Sequence, residues 1–196
     1  GLRLILAPQK SLAATALVLV EAGSEYETKK INGISHFLEH LMFKGTAKRP
    51  LPNTISEELD SLGAEYNAFT SQEYTGYWAK ARNEKLPQIL ELISDLYLNP
   101  IFERKEMDKE RGVVIEEINM YEDTPMRRVQ DIFNERLYGD QPAGWDVAGK
   151  KEIIRKISRE DLVAYRNKHY IGEATAVVVA GEFNEKKILS LVERLF

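Results

Sequence analysis

Residues 34–43 read ISHFLEHLMF, placing His36, Glu39 and His40 within five residues of an otherwise apolar segment, in a chain with only three histidines. Ile34, Phe37, Leu38, Leu41 and Met42 recur at helical spacing, and Gly45 ends the run. At the helical advance per residue, His36, Glu39, His40 and Phe43 fall within about 100° of one another, while the five apolar residues occupy the opposite side. The stretch therefore predicts a helix with two faces, one for a core and one bearing imidazoles. Two histidines at i and i+4 can grip one metal ion from one side, and the glutamate between them is placed to hold a water against it. The plain alternative is a solvated polar face. It fits poorly with Phe43, which continues the side that His36 and His40 begin.

A helix of this kind needs a sheet or other helices to pack on, and the flanking sequence supplies both. Residues 2–7 and 14–22 are short apolar runs rich in Leu and Val, separated by PQKS, which reads as a turn between two strands. A second helix is signalled in NTISEELDSLG (53–63), where Thr54 and Glu57 have capping-box spacing and Gly63 occupies a C-terminal glycine position. Residues 65–81 are dense in aromatic residues and Thr around a polar break at SQE, the pattern of a β-hairpin. Helical patterning resumes at 84–98, 103–121, 126–138 and 158–169, the last with Ser158 and Asp161 at cap spacing. ATAVVVA (174–180) reads as a final strand, after which Asn184 is placed to cap a last helix. Strands and helices are grouped rather than alternating. The expected class is α+β, with a mixed, mainly antiparallel sheet and helices packed chiefly on one face.

At 196 residues the chain is long enough for one domain with its own core, spanning 1–196. Apolar residues at 43% and charged residues at 30% describe a globular protein. The formal charge of −4 offers no basic footprint for nucleic acid, and no run approaches the roughly 18–20 apolar residues of a membrane span. With no cysteine, disulfides play no part. The expected setting is that of a soluble protein of the cytoplasm or an organelle matrix. Because the chain opens at Gly1 in a strand-like run and stops within an amphipathic one, it is expected to be a piece of a longer, two-domain protein.

A catalytic zinc site usually takes three protein ligands and leaves a position for water, so a third ligand must come from elsewhere. His169 is a candidate by type, and the acid-rich run EMDKERGVVIEEINMYED offers Glu106, Glu110, Glu116 and Glu117. Helical phase separates these. Val114, Ile115, Ile118 and Tyr121 form the apolar stripe; Glu116 points nearly opposite it and should face solvent. Glu117 lies on the flank of the stripe, with Glu110 two turns earlier on almost the same line. An acidic helix flank is ordinarily just solvated, so phase alone leaves Glu117 as one of two readings.

The order His-x-x-Glu-His inverts the commoner His-Glu-x-x-His zinc motif. In this and in the runs HFLEHLMFKGT (36–46), LGAEYNAFTSQEYTGYWA (62–79), ERGVVIEEINMYEDTP (110–125) and HYIGEATAVVVAGEF (169–183), the chain resembles the pitrilysin-type metallopeptidases, or inverzincins, over essentially its whole length. The family's third ligand is a glutamate seven residues after that of a Glu-Arg pair. With the pair at Glu110 and Arg111, the resemblance implies Glu117. It further implies that Glu110 assists catalysis, that Phe43 lines a substrate pocket, and that Asn67, Ala68 and Phe69 belong to an edge strand that pairs with the peptide backbone. An added strand gains main-chain hydrogen bonds whatever its sequence.

The expected function is thus that of a zinc endopeptidase. Zn²⁺ would be held by His36, His40 and Glu117, with Glu39 as general base toward a metal-activated water and a peptide or unfolded polypeptide as substrate. Family members carry a second homologous domain or work with a second subunit, and residues that stabilise the oxyanion belong to that other half; a missing donor of this kind costs roughly 100- to 1,000-fold in rate. The isolated chain is therefore expected to need its partner. The alternative is a non-catalytic structural or peptide-capturing subunit of the same fold.

Overall fold

TAVVVAG (175–181) is apolar on both of its faces, and in a computed structural model describing residues 1–196 it takes an interior place in a five-stranded sheet. The strands are β1 (Arg3–Pro8), β2 (Ala13–Val20), β3 (Glu65–Thr70), β4 (Thr75–Arg82) and β5 (Thr175–Gly181), in the order β1-β5-β2-β4-β3. β1 runs parallel to β5, and every other pairing is antiparallel. The PQKS turn therefore does not close a hairpin. β1 and β2 flank β5, because the strand that is apolar throughout gains most from neighbours on both edges. β3 is an edge strand, paired only with β4.

Eight helices complete the chain: α1 (Ile34–Met42), α2 (Thr54–Ser61), α3 (Leu86–Leu98), α4 (Arg104–Glu122), α5 (Pro125–Tyr138), α6 (Lys151–Ile154), α7 (Arg159–His169) and α8 (Glu185–Leu195). On one sheet face Ala16, Val18, Tyr77, Ala79, Val177 and Val179 are fully covered, with α3 across β2 and β4 and α8 beside β1. The opposite face presents the cross-strand row Ile5, Val178, Leu17, Trp78, and there Ile5 is 52% exposed. The class is α+β with helices on one face, as the sequence predicts. No helix is long and apolar enough to cross a membrane.

Two of the three caps expected from the sequence form. Ser158 and Asp161 form a full capping box on α7, and Asn184 accepts from Lys187 N–H at 3.1 Å at the start of α8. Thr54 and Glu57 form no such box. The N-cap of α2 is Asn53, whose carbonyl takes the Glu57 N–H at 2.9 Å, so Thr54 already lies inside the first turn. The short α6 has no counterpart in the sequence reading. It follows Gly149, whose backbone lies so close to that of Asn32 and Gly33 that a Cβ there would sit 2.4 Å from the Asn32 carbonyl oxygen. That close approach clamps the start of α1.

Candidate metal centre

A helix of nine residues is marginal by itself, so the position of α1 is set by what it touches. Phe37, Leu38, Leu41 and Met42 are fully buried in the core, each contributing about 1.5–3 kcal/mol. Its first turn is held by a residue the sequence reading missed. Glu27, itself buried, accepts from Gly33 N–H at 2.7 Å, Ser35 N–H at 2.9 Å and the Asn32 amide at 2.9 Å. The face carrying His36, Glu39 and His40 is not an exposed one: His36 is buried, and Glu39 and His40 are half-buried.

α4 packs against α1 and brings Glu110 and Glu117 to it. Its Arg111 lies over the Phe37 ring, 5.3 Å from the centroid, and donates to the carbonyls of Ile154 and Ile157, which fixes α4 between α1 and α6. As phase predicts, Glu116 is exposed while Glu117 is half-buried. Three atoms converge: His36 Nε2 and His40 Nε2 are 3.3 Å apart, and Glu117 Oε2 lies 3.5 Å from the first and 3.2 Å from the second. These three residues form a group suited to holding a metal ion. Ligands at about 2.0–2.1 Å from a tetrahedral zinc are separated by about 3.3–3.4 Å, so the donor set and its spacing fit that ion. His169 is not part of the group. Its ring packs against Tyr165 and Tyr26 at centroid distances of 4.4 and 5.7 Å.

The electrostatics differ sharply between neighbours. Burial takes the His36 imidazole down to about 4, with the charge of His40 acting the same way and Glu117 opposing. Burial also acts to lower His40, but hydrogen bonds to Glu110 and Glu117 outweigh it and bring that imidazole up to about 9. The His40 hydrogen bond, against burial and with help from Tyr121, holds Glu117 at about 2. Glu110 lies 3.5 Å from His40 Nδ1 and 2.8 Å from Lys44 Nζ. Burial acts to raise its carboxyl, yet those two partners keep it below the usual carboxylate range.

Glu39 behaves in the opposite way. Burial raises its carboxyl above the usual range, although the Thr70 hydroxyl, donating to Oε2 at 2.5 Å, pulls the other way. Thr70 ends the edge strand β3, so the strand touches the would-be base directly. Strand alternation turns Tyr66, Ala68 and Thr70 to the covered face, with Tyr77 as the cross-strand partner of Ala68, whereas Asn67 and Phe69 point to the other face. Phe43 stacks with Tyr66 at 6.2 Å and meets Tyr77 at 6.5 Å. Asn67 Oδ1 accepts the Ala68 N–H at 2.9 Å, and the Phe69 ring lies over Gly76. Besides Glu27, the sequence reading missed Thr70, Tyr66, Lys44 and Tyr121. All four stood inside the quoted runs, Tyr121 as a member of the apolar stripe, so the signal for them was proximity to named residues.

Comparison with known proteins places the chain among relatives of one family. Residues 4–151 match the family model described as Insulinase (Peptidase family M16), and residues 156–196 match the model of that family's inactive domain. The chain is 36% identical over 197 residues to an uncharacterized zinc protease of Bacillus subtilis, covering 100% of this chain and 48% of the relative. It is 37% identical over 183 residues to the mitochondrial-processing peptidase subunit beta of Caenorhabditis elegans, covering 93% and 40%. Against cytochrome b-c1 complex subunit 1 of Mus musculus it is 35% identical over 194 residues, covering 99% and 40%. The crystal structure of a protease from Helicobacter pylori superposes with a TM-score of 0.95 at 27% identity, over 100% of this chain and 48% of the other. The chain thus spans between 40% and 48% of the length of these relatives.

Proposed function

This chain belongs to the insulinase family of peptidases, and we propose that it is the metal-bearing domain of a zinc endopeptidase. The observation that carries this reading is the convergence of His36 Nε2, His40 Nε2 and Glu117 Oε2 at 3.2–3.5 Å beside a carboxyl of raised basicity. Those three atoms would hold the ion. Bound there, zinc supplies a Lewis acid that polarises a peptide carbonyl and lowers the pKa of water toward about 7.

The remaining steps belong to the chain's own side chains. Thr70 engages Glu39 Oε2 and leaves Oε1 free to take a proton, and a carboxyl above its usual range is a stronger base for that task. The same group returns the proton to the leaving amine. Glu110, braced by Lys44, orients the His40 ring through Nδ1 so that Nε2 faces Glu117. The free edge of β3 takes the extended peptide by main-chain pairing, and Phe43 with Tyr66 and Tyr77 offers an aromatic wall for one side chain. A second homologous domain or subunit completes the site. The relatives' greater length and the apolar row Ile5, Val178, Leu17, Trp78, in which Ile5 is exposed and the other three are half-buried, support that partner.

The test is Glu39→Gln in the protein assembled with its second half. It should retain zinc and lose peptide hydrolysis by about 100- to 10,000-fold. Unchanged turnover would remove Glu39 from the role of base. A second reading, a non-catalytic peptide-capturing subunit, draws on the relative named as a cytochrome b-c1 complex subunit. It predicts that the unaltered assembly binds zinc and peptide without hydrolysis.

A further inference from the structure

Glu117 presents only one of its two carboxylate oxygens to the imidazoles. Oε2 lies 3.5 Å from His36 Nε2 and 3.2 Å from His40 Nε2, while Oε1 accepts the hydroxyl of Tyr121. Tyr121 stands one turn after Glu117 on α4, the i, i+4 spacing that puts two side chains on one helix face. Its ring is held in turn. The Arg127 guanidinium carbon lies 3.4 Å from the ring centroid, a stacked cation over the aromatic face. The tight α4–α5 connection produces this stack: Thr124 N–H bonds the Tyr121 carbonyl at 3.2 Å, and Arg127 N–H bonds the Thr124 carbonyl at 3.1 Å.

We propose that Tyr121 is a positioning residue for the metal centre, with Arg127 as the clamp on its ring, so that Glu117 offers Oε2 alone to the ion. The inference rests on the reading of His36, His40 and Glu117 as the ligands. A carboxylate free to rotate can offer either oxygen or both, which changes the coordination number; a donor fixed on Oε1 removes that freedom. The donor must keep its proton to act. An ordinary phenol, with a pKa of about 10, is protonated throughout the neutral range and can donate.

The test measures zinc affinity of the chain by competition with a chromophoric chelator, together with the visible spectrum of the cobalt(II) form, whose bands weaken as coordination rises above four. Tyr121→Phe keeps the ring and the Arg127 stack and loses only the hydroxyl. It should bind zinc about 10- to 100-fold more weakly and give a weaker cobalt spectrum, with unchanged far-ultraviolet circular dichroism. Arg127→Ala should shift both readouts in the same direction by a smaller factor. Wild-type affinity and an unaltered cobalt spectrum in Tyr121→Phe would overturn the positioning role while leaving the ligand assignment standing. Failure of the wild type to bind zinc at all would overturn both.

Discussion

Replacing Glu27 by Ala tests whether the start of the histidine helix depends on one buried carboxylate. The change leaves the N–H groups of Gly33 and Ser35 without an acceptor in a buried turn, whereas the Asn32 amide keeps the Asp146 carbonyl at 3.1 Å. Two stranded backbone donors cost about 1–3 kcal/mol each, and loss of the negative charge at a helix N-terminus adds a few tenths or more. Against that stands the relief of a desolvated carboxylate, which burial holds above its usual pKa. The net expectation is a loss of about 2–4 kcal/mol. For a domain of this size that is a melting temperature lower by roughly 5–15 °C. Glu27→Gln keeps one acceptor oxygen and should lose about half as much. Urea and thermal unfolding of the three proteins check the ordering. An Ala variant within 0.5 kcal/mol of wild type, about the scatter of ordinary surface changes, would refute the claim that this carboxylate holds the turn.

Two further outcomes concern pH and metal. Asp95 accepts from Thr46 Oγ1 and Arg49 Nη1, both at 2.7 Å, and from Asn99 Nδ2 at 3.0 Å; burial acts to raise its carboxyl, but these partners hold it below the usual range. A depressed folded pKa gives stability that is present above the unfolded value of about 3.9 and lost as pH falls through the folded one. Asp95→Asn should therefore cost about 1–3 kcal/mol at pH 7 and progressively less below pH 3.9. A gap that stays constant on acidification in urea titrations would contradict this. Chelation should leave the chain folded by circular dichroism, because a 35-residue apolar cluster holds it without the ion. Unfolding on chelation would make the metal structural.

What could be read from the sequence was what repeats locally. The two-faced α1, the phase that separates Glu116 from Glu117, and the β3–β4 hairpin all depend on spacing within a single element, and the structure places them accordingly. The insertion of β5 between β1 and β2 joins segments more than 150 residues apart, and no local pattern encodes it. The same limit hid Glu27, which is six residues before the turn it holds and follows no capping spacing. The α2 capping box failed for a smaller reason. Thr54 had the right neighbour three residues on, but the N-cap is Asn53, and a one-residue shift removes the geometry that the motif needs.

The supports of the candidate site share one arrangement, and it bears on what a chain spanning less than half the length of its relatives can do. Most of its polar groups are held from outside the trio: His40 by Glu110, which Lys44 braces, Glu117 by Tyr121, Glu39 by Thr70, and the first turn of α1 by Glu27, while His36 Nδ1 is buried without a partner. All of these partners lie within this one chain. On the proposed reading, zinc affinity is therefore a property of this domain alone, whereas the donors that would stabilise charge developing on a substrate carbonyl have no counterpart among them. Binding and turnover should separate cleanly. A second half should raise the rate of hydrolysis by about 100-fold or more while changing zinc affinity little, since it adds oxyanion donors and no ligand.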